Sequence, residues 1–433
     1  VIPLYRVSEN RLMNRRLCVW VVSIFTGVAL VSTAVAQALP GGATAPGSSG
    51  QTAVPAPSSP GTSTGPTIPV SAETAADANT YASAIRSFIQ YQLNILTGSD
   101  YQAQTGAREA IRKVLTRGST PSYYAVFTNE WKAACMPLLT KTPPLSIAVR
   151  LNIGIITATL TDNGQTMDRS AWKSADDVVN QLLGDEKASV SLWGIKAARP
   201  LVMLRMQDGE KGISSSTVVA GIVNAVKKHQ KSEISGFVTE DAYNDLAVKE
   251  IPSQNDDAVK KLQPPLVDPI LDILEVRVAQ YKDGKIPSPG AERTIATFLS
   301  GLYKQVSPAS QKRMVQLLVD LETYSGKRAD QYINDRTDLN QLREMLKYVT
   351  SALKVIADDK QVDTALSWLS AIPPAATPPD IYHYTQLVPG IMKSALSWVA
   401  TPPEIPDMAP PPFKSTPAPA TPATGGAPVP PTK

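Results

Sequence analysis

Three successive helix patterns joined by short turns fill residues 145–204, and they constrain what the rest of the chain can be. In the first, Ala148, Leu151, Ile155 and Ala158 recur at three- and four-residue steps, which is one face of a 3.6-residue period. Thr161-Asp162-Asn163-Gly164 follows as turn chemistry, because Asn-Gly takes left-handed backbone at no steric cost. Val178, Val179, Leu182 and Leu183 repeat the spacing over 171–183, and Gly184 stands where a helix C-cap favours glycine. The third pattern sets Ala188, Leu192, Ile195 and Ala198 or Arg199 on one face. Gly194, Ala197 and Ala198 would let a neighbouring helix come close, and Pro200 is expected to kink this helix or divide it.

The same period continues on both sides. Tyr81, Ile85, Phe88, Gln92 and Ile95 mark a long helix closed by Gly98, and a second runs over 101–115 and stops at Gly118. Pro121 opens a third, at the position where its missing N–H costs nothing. Downstream, Val218, Ile222, Ala225 and Val226 place a serine-capped helix in 214–231. Further helices are predicted over 237–248, with Val238-Thr239-Glu240-Asp241 as the cap, and over 268–281, 290–306, 309–321 and 338–356. No sustained period-two alternation or hairpin signature interrupts them, so the ordered chain is all-α.

Both ends differ in chemistry from the middle. Residues 1–36 read as a signal peptide: Arg11, Arg15 and Arg16 precede fifteen apolar residues, and Ala34-Val35-Ala36 and Ala36-Gln37-Ala38 offer cleavage sites. Fifteen is short of the roughly 20 residues a spanning helix needs, which favours a cleaved signal over an anchor. The first residue is Val, and Met13 offers a start that gives a conventional short signal. Of the 37 prolines, seven lie between Pro40 and Pro69 and twelve between Pro402 and Pro431. Residues 37–70 are thus expected as a disordered Gly/Pro/Ser/Thr linker and 402–433 as a disordered tail of polyproline character, either of which could touch an envelope polymer. Between them lie two helical regions, 71–251 and 268–401, joined by an irregular connector at 252–267 that holds Pro252, Pro264 and Pro265.

Charge and cysteine content narrow the function classes. Four basic residues and one acid leave with residues 1–36, which lowers the formal charge from +4 to +1. A nearly neutral mature chain argues against nucleic acid as a partner. The one basic cluster, Lys227-Lys228-His229-Gln230-Lys231, reads as a solvated helix end. Once Cys18 is removed, Cys135 is the only thiol, so no internal disulfide forms and Cys135 reads as a small buried hydrophobe.

Ala365-Leu-Ser-Trp368 is echoed by Ala395-Leu-Ser-Trp398, thirty residues apart, which suggests a helical period near 30. Val149-Arg150-Leu151-Asn152-Ile153-Gly154-Ile155, the helix at 176–183 and Lys187-Ala-Ser-Val-Ser-Leu-Trp-Gly-Ile-Lys-Ala-Ala198 together resemble a HEAT-type repeat of secreted bacterial helical-repeat proteins. The resemblance covers about residues 145–204. It implies a HEAT-like α-solenoid or irregular helical-repeat array, a charged residue such as Arg150 near a turn, and a tendency to bind other proteins.

Catalytic chemistry is sparse. His229 and His383 are the only histidines, and no HExxH, CxxC or GxSxG pattern occurs. Tyr382-His383-Tyr384 reads as a helix start with packing aromatics. Asp176-Asp177, Asp256-Asp257 and Asp358-Asp359 are adjacent, so each pair points to different helical faces and reads as caps or solvated positions. No catalytic, cofactor-binding or metal residue is therefore assigned, and no cofactor is expected. The sequence reads as an exported, non-enzymatic helical scaffold or protein-binding module of the periplasm, cell envelope or exterior, with no membrane span after signal removal. The alternatives are a polymer-associated envelope protein, or an enzyme with a site near His383 or Cys135.

Overall fold

The structure, a computed structural model, describes residues 65–163, 169–207, 213, 216–251, 254–284, 288–332 and 336–403. All of these belong to one compact unit, Thr64–Lys433. The signal segment, most of the 37–70 linker and nearly all of the tail lie outside the described residues. Among the described residues every regular element is helical. No helix is long and apolar enough to cross a membrane.

The helices alternate between two layers. One holds α1 (Ala82–Leu96), α3 (Pro121–Leu139), α5 (Arg169–Leu183), α7 (Thr217–His229), α10 (Val267–Lys282), α12 (Pro308–Lys327) and α16 (Pro378–Ala395), each packed against the next. The other holds α2 (Tyr101–Arg117), α4 (Ile147–Asn163), α6 (Ala188–Gln207), α8 (Ser235–Leu246), α11 (Arg293–Leu302) and α13 (Arg336–Ala357) in the same succession. Three short helices fill connections: α9 (Asp256–Leu262), α14 (Lys360–Ala365) and α15 (Ser367–Ser370).

Local chemistry starts the long helices. Asp100 accepts from the backbone N–H of Gln102 and Ala103 at α2, Thr120 from Tyr123 at α3, Ser216 from Val219 at α7 and Ser307 from Ser310 at α12. Proline occupies the first turn of α3, α12 and α16, where it has no N–H to lose. The α16 start adds a capping box between Thr377 and Asp380.

The repeat is longer than the tryptophan echo suggests. Arg86–Glu130, Arg108–Asn152, Lys228–Gly184 and His229–Asp185 each pair residues 44 apart, linking equivalent positions on neighbouring helices of one layer. Trp368 lies in α15 whereas Trp398 lies in a turn after α16, so the thirty-residue echo is not the period of the fold.

One layer carries a ladder of helix-end contacts. The last carbonyls of a helix have no intrahelical donor, and here the next helix of the layer supplies one. Lys228 Nζ donates to Gly184 O (2.7 Å) and His229 Nε2 to Asp185 O (3.0 Å), beyond the end of α5. Gln280 Nε2 donates to Gln230 O (2.6 Å) beyond α7, and Arg328 donates to Tyr281 O (2.9 Å) and Lys282 O (3.0 Å) at the end of α10.

Two hydrophobic cores meet at α5. Val178 and Leu182 face a core that runs from Ile68 to Val190, whereas Ala175, Val179 and Leu183 face one that runs on to Val399. Residues 252–267, expected as an irregular connector, carry α9 and a 3-10 turn at Pro264–Leu266, and Val259, Leu266 and Val267 sit inside the larger core.

Several local expectations change. Helix α4 continues through Asn163, so Thr161-Asp162-Asn163 is its last turn rather than the connection. Helix α6 runs unbroken past Pro200, held by neighbours on both sides. Helix α8 begins at Ser235, ahead of the expected cap, and Ile234 contributes no side-chain cap. The close approach foreseen at Gly194 is real: a Cβ there would lie 2.8 Å from Leu183 N and 3.0 Å from Leu182 C, both backbone atoms of α5. Gly194→Val should therefore destabilise the fold by about 2 kcal/mol or more. Urea midpoints read this directly, and an unchanged midpoint would mean that α6 can withdraw from α5 freely.

Candidate functional site

Helix α4 is apolar around nearly its whole circumference, so periodicity alone cannot choose its buried side. Packing buries Val149, Ile153, Ile156 and Leu160, together with Arg150, Asn152, Thr157 and Thr161. The stripe picked out by the sequence period, Ala148, Leu151, Ile155 and Ala158, lies toward the outside: Ala148 is exposed and the other three are half-buried, with Leu151 and Ala158 still touching the cores on their inner sides. Ile147, at the helix start, is 42% exposed. No charged side chain interrupts this face until Asp162.

Neighbouring helices extend the surface in register. Arg108 Nη1 donates to Asn152 Oδ1 (3.1 Å), which aligns α2 with α4 and places exposed Tyr101 and Ile147 at equivalent helix starts. Gly154 admits Trp193 of α6, whose Cβ would lie 2.8 Å from a Cβ on the glycine. Leu192 and Trp193 stay half-buried there, with Lys196 Nζ 5.9 Å from the Trp193 ring centre. Lys196 also pairs with Asp241 of α8 at 2.6 Å, and Phe237, one turn earlier on α8, is 58% exposed. The result is an apolar strip across α4, α6 and α8 with charged groups at its borders.

The reactive-looking residues find structural employment. Cys135 is fully buried, and burial pushes its thiol pKa well up, away from the thiolate. His383 is exposed on α16 with its ring edge-on to Tyr384, which stacks on Trp368 at 3.9 Å. Cys135 and His383 sit on the second and last helices of their layer. Asp176 pairs with Arg205 and Asp177 with Lys132, pointing apart as adjacent helical residues must. Asp256 and Asp257 are exposed in the first turn of α9, and Asp359 caps α14. In the basic cluster Lys227 and Lys228 are exposed, as a solvated helix end would be, with Lys228 reaching Gly184 O, whereas His229 is buried as a rung of the ladder. Among the described residues no group of three or more His, Cys, Asp or Glu could hold a metal ion.

Contacts between distant segments escaped the sequence reading. Ser191 Oγ and His229 Nε2 lie 2.9 Å apart, the spacing of a hydrolytic pair. Yet Ser191 is fully buried and donates to Leu183 O at 2.8 Å. His229 Nε2 faces the Asp185 carbonyl, which can only accept, so Nε2 carries the hydrogen and cannot take a proton from Ser191. Burial also lowers the His229 pKa. Arg150 pairs with Asp185 and donates to Leu145 O at 3.1 Å, clasping the α5–α6 turn. Arg277 and Glu292 form a fully buried ion pair, and Glu322 is fully buried with the Thr350 hydroxyl donating to it. None of these partners lies within one helical turn of the other, so no spacing rule finds them.

Compared with known protein families, curated proteins and solved structures, the chain matches none.

Proposed function

We propose that this chain is an exported, non-enzymatic helical scaffold of the cell envelope that binds a protein partner through the outer face of α4, α6 and α8. The observation that carries the reading is the charge-free outward face of α4, continued by Leu192, Trp193 and Phe237. An apolar strip with polar borders is the ordinary form of a protein-docking surface, and a half-buried tryptophan is a frequent energetic anchor of one. Pairings 44 residues apart fall in the range of HEAT and armadillo units and support the HEAT-like resemblance. Export rests on the basic, apolar and small-residue pattern of residues 1–36.

The test compares the full chain with a Leu151→Glu/Ile155→Glu variant as bait in co-purification from the native envelope. The variant should lose the partner by at least tenfold while keeping the same helical circular dichroism. Equal recovery on both baits would place binding elsewhere on the array.

A further inference from the structure

Four successive helices of one layer carry a large apolar side chain within their first two turns: Tyr101 on α2, Ile147 on α4, Trp193 on α6 and Phe237 on α8. They stand 46, 46 and 44 residues apart, one to each repeat. Tyr101, Ile147 and Phe237 are exposed and lie outside both hydrophobic cores, and Trp193 is half-buried in the same row. Packed helix axes are about 8–10 Å apart, and one three-residue turn of polyproline II rises about 9.3 Å. A segment of that form therefore sets every third residue over the next helix of the row.

We propose that the chain's own C-terminal tail, residues 404–433, folds back over this row and covers it. The direction in which the described chain ends carries the proposal. Gln316, midway along α12, exchanges two hydrogen bonds with the Ala400 backbone (3.1 and 2.9 Å), and Tyr324, in the last turn of α12, donates to Pro403 O (3.2 Å). Residues 400–403 thus run along α12 toward its C-terminal end. In this layer the helix ends lead by short connections into the helix starts of the other layer, so the tail leaves on the edge that carries the row. Its sequence holds Pro403-Glu-Ile-Pro406, Pro419-Ala-Thr-Pro422 and Pro428-Val-Pro-Pro431, the spacing with which polyproline segments dock on aromatic surfaces. The thirty residues beyond Pro403 span about 93 Å as polyproline II, against about 50 Å for the five helix spacings from α13 back to α2. Attachment holds the tail at an effective concentration on the order of millimolar. The inference rests on the docking reading above and adds a competitor to it, since the tail and the envelope partner exclude each other at Trp193 and Phe237.

Lys414 is the one Lys or Arg between positions 404 and 432, so trypsin reports on the tail directly. In the full chain, release of residues 415–433, followed by mass, should be at least tenfold slower than cleavage of the same bond in a synthetic peptide of residues 404–433. A Tyr101→Asp/Phe237→Asp variant with unchanged helical circular dichroism should be cut at the rate of the peptide. Dilution should leave the protection of the full chain intact, because the contact is made within one molecule. Cleavage at the peptide's rate, protection that survives the double substitution, or protection lost on dilution, the mark of a second copy's tail, would each overturn the proposal. If Lys414 is open while the Leu151→Glu/Ile155→Glu bait still loses its envelope partner, the tail contact fails and the docking reading stands. If Lys414 is protected through Tyr101 and Phe237 while both baits recover the partner equally, the docking reading fails and the tail contact stands.

Discussion

Replacing Arg277 with Met should lower the unfolding free energy by about 3–5 kcal/mol, the usual cost of leaving one member of a buried ion pair alone. Arg277 and Glu292 are both fully buried, and the guanidinium also donates to Gln280 Oε1 (3.1 Å) and Ser288 O (2.8 Å). One Glu292 oxygen, Oε2, already lacks a hydrogen-bond partner, so losing Arg277 strands a carboxylate in apolar surroundings. An Arg277→Met/Glu292→Leu double variant should recover most of the loss, since apolar side chains of similar volume often replace a buried pair at little cost. Chemical denaturation of the single and double variants measures the coupling. A single variant as stable as the parent would mean that water reaches Glu292.

The second large effect is a pH dependence. Glu322 on α12 is fully buried, its neighbour is the neutral Thr350 hydroxyl, and burial raises its pKa from the ordinary carboxylate value of 4.5 to about 8. Folded, the carboxyl holds its proton until pH approaches 8, whereas in the unfolded chain it releases that proton near 4.5. The stabilising contribution is therefore complete below 4.5 and declines as pH rises toward 8, by roughly 1.4 kcal/mol per unit. Glu322→Gln keeps the shape of the neutral acid and removes the titration. Relative to the parent, the variant should gain stability by up to several kcal/mol between pH 5 and pH 9. Parallel stability curves for the two proteins across that range would show that Glu322 is ionised in the folded state.

Helix positions were legible because their causes are local. Asp100, Thr120 and Ser216 act on backbone groups two or three residues away, and Pro121 sits where a first turn tolerates it. The buried side of α5 was legible too, since Val178, Val179, Leu182 and Leu183 form a compact apolar group in a helix rich in polar residues. Helix α4 defeated the same method. With apolar residues on every side, its inner face is decided by α2, α5 and α6, which lie tens of residues away in the chain. The candidate surface was thus present in the sequence as residues on one face of a helix, with nothing local to say which way that face points. Arg277 and Glu292, fifteen residues apart and on different elements, gave no spacing signal at all.

The ladder from α12 back to α5 gives the array a direction in time as well as in space. Each rung is donated by the later helix to the earlier one: His229 to Asp185, Gln280 to Gln230, Arg328 to Tyr281. As the chain is made, the carbonyls beyond α5 stay open to water until α7 has followed, and those at the end of α10 until Arg328 has. Each unit therefore gains its last contacts only when its successor arrives.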